Sequence, residues 1–217
     1  MVVNTPWQHY IIKNILNDNL LSEIISAANV LITNVKHSDT FIELVSSLDL
    51  GVPTTTVNSI VELADTFLDQ YQQIISSFDN AILSPYGYVC KPQWGILKYT
   101  NESIHDDRYK DMSLNIRITG NGTSLYDDKL QLSTTINTAN TGLLFCSNKN
   151  VTLHSINSSN AISVYLNIFF YKLDNWFDKD YVKDNIVTLN PKVLEWQKQM
   201  FAQGKLYRSP YNILDLL

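Results

Sequence analysis

The chain has 217 residues, 45 % of them apolar and only 17 % charged, with a formal net charge of −5. That is apolar material enough for one buried core, and the acidic balance excludes a nucleic-acid face built on bulk charge. No run approaches the ~20 apolar residues of a membrane-spanning helix. The opening MVVNTPWQHYIIKN lacks the basic region and apolar stretch of a secretory signal, so a soluble, cytoplasmic protein with no membrane partner is expected.

In chain order the sequence reads as one domain in three stretches: a helical buttress over 1–85, a β core over 86–172 and a C-terminal extension over 173–217. The segment NDNLLSEIISAANVLI repeats apolar residues at helical spacing. A stronger stripe follows: Val57, Ile60, Val61, Ala64, Phe67, Leu68, Tyr71, Ile74 and Ile75. This spacing predicts an amphipathic helix packed on a core. Thr54 to Thr56 are candidate N-caps, after a turn at Gly51 and Pro53. From about residue 87 the pattern changes to short apolar or alternating runs broken by Gly, Asn, Ser and Asp. Strands are expected over 87–90, 94–100, 112–119, 123–126, 129–136, 141–146, 151–154 and 161–171. That number of short strands suits a sandwich, a barrel or a jelly roll. Cys90 and Cys146 fall in strand-like runs without zinc-site spacing, and read as buried reduced thiols. Beyond residue 172, the aromatic and charged KLDNWFDKDY leads to a short helix expected near Pro191 and a tail, YRSPYNILDLL.

Chemistry concentrates in the β stretch. On a strand, residues i and i+2 point the same way. His105 therefore shares a face with Asp107, and Asp106 turns away. One imidazole and one carboxylate at this spacing are two ligands of a facial Fe(II) triad, completed by a histidine from a later strand, for which His154 is available. His-X-Asp also arises by chance, and a lone histidine is as readily a surface or hydrogen-bonded residue. His9 and His37 have no partners at useful spacing, and Trp94 reads as packing.

Four pieces in this order, GILKYT (95–100), HDD (105–107), MSLNIRITGNGTSLYD (112–127) and TLHSINSSNAISVYLNIFF (152–170), resemble the 2-oxoglutarate- and Fe(II)-dependent dioxygenases. Within them the likeness is to small, prolyl-hydroxylase-like members of phages and marine microbes. It covers roughly residues 94–171; the helical flanks carry no specific motif. The resemblance implies a mainly β fold, a double-stranded β-helix (jelly-roll) core with helical flanks. It implies Fe(II), 2-oxoglutarate and O2 as cofactor and co-substrates, with His105, Asp107 and His154 as catalytic metal ligands. The reaction implied is oxidative decarboxylation of 2-oxoglutarate to succinate, coupled to hydroxylation of a small molecule or peptide.

The same resemblance places co-substrate contacts at Tyr99, Asn115, Ser163 and Tyr165, with Asn167 on the face of the last two. It also exposes a departure. Relatives carry an arginine or lysine on the last strand to pair with the far carboxylate of 2-oxoglutarate; the matching position here is Ser163. Arg117 is the candidate replacement, on the strand after the metal pair. The alternative reading has Arg117 facing solvent. A jelly-roll binding or structural protein without turnover, and a cupin-type metalloenzyme, are the competing functions.

Overall fold

Strict alternation in MSLNIRIT decides how the β core is built. A computed structural model describes residues 2–37, 39–78, 88–107, 110–147 and 151–172. In it this segment is strand β4 (Met112–Thr119). Met112, Leu114, Ile116 and Ile118 enter the main apolar core, and Ser113, Asn115 and Arg117 face the other way. Its neighbours are β3 (Tyr88–Lys98), β7 (Thr141–Cys146) and β9 (Ile162–Lys172). With β1 (Tyr10–Lys13) and β2 (Asp39–Glu43) at its edges, they form a six-stranded sheet in the order β1-β7-β4-β9-β3-β2. A second sheet, β6 (Leu132–Ile136), β5 (Thr123–Tyr126) and β8 (His154–Ile156), has the order β6-β5-β8. Every strand pair is antiparallel.

The outer face of the large sheet is covered by helices α1 (Asp18–Asn34) and α2 (Thr54–Ile75). Ile24, Ala28 and Leu31 of α1, and Ile60, Ala64 and Phe67 of α2, share one core with Trp94, Ile96, Leu166 and Phe170 of the sheet. Phe67 stacks on Phe170 at 5.7 Å between ring centroids. Trp94 is packing, as expected. The inner face meets the small sheet through two smaller clusters, one of Trp7, Leu125, Leu143 and Phe145, the other of Leu97, Ile156 and Tyr165. The protein is thus mainly β with helical flanks, in jelly-roll architecture. Both cysteines are buried, and among the described residues neither forms a disulfide. Among the described residues no helix is long and apolar enough to cross a membrane.

Several expectations need correction. The stretch before residue 86 is not helical throughout, because β1 and β2 arise from it and supply both edges of the large sheet. Runs of four or five residues leave no helical stripe to read, and their pairing is decided by the sheet they join. Thr54 to Thr56 form the first turn of α2 rather than its cap; Pro53 holds the N-cap position. The expected strands 87–90 and 94–100 are one strand. Pro92 is tolerated inside it because its carbonyl faces the end of β2, where it accepts from Leu44 N, and no ladder donor is required there. Strand β6 starts at Leu132, since Leu130 is held at φ 61° in the preceding turn. β8 starts at His154 rather than ending there. The extension over 173–217, with the helix expected near Pro191, lies outside the described residues.

Candidate metal centre

His105 and His154 meet across the mouth of the two sheets. They form an isolated antiparallel bridge, His105 N donating to His154 O at 3.0 Å and His154 N to His105 O at 2.9 Å. The pair therefore comes together through main-chain pairing, and His105 lies on the irregular connection between β3 and β4 rather than on a strand. The ring centroids are 4.4 Å apart. Asp107, two residues on, is buried, and its Oδ2 stands 4.0 Å from His154 Nε2. One ligand atom from each of His105, Asp107 and His154 lies within 4.8 Å of the others.

The surroundings fix these groups for metal binding. His105 Nδ1 lies 3.0 Å from Ser103 O, and His154 Nδ1 lies 2.9 Å from Thr152 O. A ring N–H given to a carbonyl leaves the Nε2 lone pair free to ligate. Burial pushes the His154 imidazole below its ordinary pKa, so it is neutral near pH 7. Burial opposes ionisation of Asp107, but His154, Lys110 and a hydrogen bond from Ser113 outweigh it and hold the carboxyl below its usual range. Lys110 Nζ reaches Asp107 Oδ1 at 2.7 Å, and Ser113 Oγ donates to Oδ2 at 2.6 Å. Two imidazoles and one carboxylate, each held by hydrogen-bond partners, are a donor set that suits Fe(II). The residues fit the cofactor that the resemblance implies.

The triad opens onto a cavity of about 360 Å³ between the sheets. Phe41, Leu97, Ile156 and Phe169 form its apolar wall; Gln93, Asn115, Thr123 and Asn167 are polar groups on it. Gly95 keeps it open: a Cβ there would stand 3.1 Å from Asn167 Nδ2 and 3.3 Å from the Phe41 ring.

Of the five residues expected at the co-substrate, Asn115 lines this cavity and the other four do not. β3 ends at Lys98, and Tyr99 turns out at φ 52° with 68 % of its surface exposed. Arg117 shares the inward face with Asn115 but sits at the strand end. Its Nε donates to Asn121 O at 3.3 Å, and its terminal nitrogens donate to Asn137 O and Gly120 O. The cavity does not receive it; the partly exposed guanidinium is engaged with carbonyls around the β4–β5 turn. Ser163 accepts from Asn121 N at 2.8 Å and from Ser158 Oγ. Tyr165 is fully buried and gives its hydroxyl proton to Asn121 O. Arg117, Ser163 and Tyr165 brace the closed end of the barrel, and Tyr99 lies outside it. Lys110 and Ser113 were not singled out from sequence. Their spacing of three and six residues after Asp107 was the available signal, and it becomes informative only once the loop's path is known.

No protein-family model matches the sequence, and no curated protein matches it. Solved structures do match in fold. A prolyl hydroxylase from Trichoplax adhaerens, in complex with a hypoxia inducible factor peptide fragment, superposes with TM-score 0.57 at 12 % identity, over 76 % of this chain and 84 % of that one. A Pseudomonas putida prolyl-4-hydroxylase gives 0.55 at 10 % identity, over 76 % and 92 %. The non-haem α-ketoglutarate-dependent epimerase of nogalamycin biosynthesis gives 0.55 at 8 % identity, over 76 % and 77 %. The chain has the fold of the prolyl-hydroxylase-like 2-oxoglutarate/Fe(II) oxygenases.

Proposed function

We propose that the protein is a non-haem Fe(II)-dependent oxygenase. In this reading it couples oxidative decarboxylation of a 2-oxo acid to hydroxylation of a small-molecule or peptide substrate. The observation that carries it is the grouping of His105, Asp107 and His154 within 4.8 Å at the mouth of a cavity between two sheets. The fold shared with 2-oxoglutarate oxygenases supports it. The co-substrate that the resemblance implies, 2-oxoglutarate, would yield succinate and CO2 with O2 as oxidant.

Bound iron would supply the redox chemistry with dioxygen. The chain's own residues do the rest. His105 and His154 present Nε2, with their tautomers set by Ser103 O and Thr152 O. Asp107 supplies the anionic ligand, and Lys110 and Ser113 hold its two oxygens in place. Ile156 and Phe169 give the cavity an apolar wall beside the triad, Phe169 lying under Lys110 Nζ.

The test is anaerobic Fe(II) titration followed by detection of CO2 released from a labelled 2-oxo acid in air. One equivalent of tightly held Fe(II), absent from Asp107→Ala and His154→Ala, is expected. Unchanged iron content in His154→Ala rejects the triad. The second reading, a jelly-roll binding protein without turnover, is favoured by one contact: Lys110 already neutralises Asp107. It predicts no Fe(II) uptake by the unmodified protein.

A further inference from the structure

A second carboxylate stands beside the triad. Glu102 lines the cavity together with His105, Asp107 and His154, and its side chain is only 12 % exposed. Its Oε1 lies 3.8 Å from His105 Nε2, the nitrogen left free to ligate. That is closer than the 4.0 Å between Asp107 Oδ2 and His154 Nε2. Two atoms that share a metal at about 2.1 Å from each stand roughly 3–4 Å apart. A cation on His105 Nε2 therefore comes within reach of Glu102. The main chain is fixed there, since Glu102 N donates to Ile156 O at 2.9 Å on β8. Glu102 stands outside the compact grouping of three, so its flexible side chain must swing toward the metal.

Charge favours that swing. Lys110 Nζ, at 2.7 Å from Asp107 Oδ1, already draws on the one negative charge of the triad. A divalent cation held between two imidazoles gains from a second anion, because buried charge is costly unless matched. An octahedral cation on His105, Asp107 and His154 keeps three positions open. A chelating 2-oxo acid fills two of them. We propose that Glu102 is a fourth protein ligand, and that it covers the remaining position until substrate enters the cavity. Because Glu102 lines that cavity, a substrate seated there meets the same side chain and can draw it off the metal. The carboxylate thereby keeps dioxygen from a centre that holds co-substrate alone. This rests on the metal-centre reading above.

Mn(II), of the same charge and open to nitrogen and carboxylate ligands, tests it without turnover. Electron–nuclear double resonance in isotope-labelled water counts the waters on the bound ion. With the inert chelator N-oxalylglycine at saturation, the unmodified protein should show none and Glu102→Ala should show one. Without chelator the variant should likewise carry one water more. Its Mn(II) dissociation constant should rise about tenfold or more. Glu102→Gln keeps the size and loses the charge, and should show the same gain of water if Glu102→Ala does not fold. Equal water counts in the unmodified protein and the variants overturn the proposal and leave the triad standing. Mn(II) uptake without binding of N-oxalylglycine rejects the 2-oxo-acid reading, and the count without chelator then decides the role of Glu102. Failure to take up Mn(II) removes the centre and the proposal together.

Discussion

Ser113 shows how much one hydroxyl can decide. It is fully buried, and its donation to Asp107 Oδ2 holds the carboxylate in one orientation. Ser113→Ala should lower Fe(II) affinity about tenfold or more without unfolding the chain, as read by competition with a fluorescent chelator. A second residue governs acid stability away from the metal. Burial pushes the His9 pKa down, against the hydrogen bond of its Nδ1 with Trp7 O at 2.8 Å. A histidine with a depressed folded pKa gives up stability when the unfolded chain takes the proton first. Its contribution is complete above the unfolded pKa of about 6.5 and is lost as pH falls toward the folded value. The melting temperature should therefore decline below about pH 6.5, and His9→Gln should flatten that decline. His154 shifts in the same direction, so some slope should remain.

The elements that carry the centre depend on features with different visibility in the sequence. Gly120, between β4 and β5, sits at φ 80°, and a Cβ there would stand 2.4 Å from the Ile162 carbonyl oxygen. Gly120→Ala should cost well over ~1 kcal/mol in urea unfolding, because strain and clash act together. Helix α2 is held by Phe67, fully buried between Tyr71 and Phe170. Phe67→Ala should cost about 3–5 kcal/mol in the same measurement. The α2 stripe and the β4 alternation were both legible, since one buried face imposes its period on the residues. Strand edges β1 and β2 were not, because partners far along the chain decide them. The polar wall of the cavity was half legible. Asn115 and Arg117 share a face by alternation alone, but depth along the barrel follows from register. Only the pairing of Asn115 with Asn167 separates the residue at the cavity from the one at the turn. Tyr99 was misplaced for a related reason: its positive φ lifts it off the strand one residue after the strand ends.

For the molecule as a whole, one consequence follows from His105 and His154 lying far apart in sequence while joined by only two main-chain hydrogen bonds. Fe(II) at a hundredfold excess over its dissociation constant should add about 2.7 kcal/mol of stability. For a chain of this size that is a rise in melting temperature of roughly 5–10 °C, seen by scanning calorimetry and absent from His154→Ala. A cation gripped by both histidines is also a reversible cross-link. Closing the chain segment between them resembles closing a loop with a disulfide, whose entropic worth at this length is about 4 kcal/mol. Unlike a disulfide, this clasp can be opened by a chelator under conditions that leave covalent bonds untouched. Chelation should then loosen the connection that carries His105 from β8, while the apolar clusters between the two sheets stay packed.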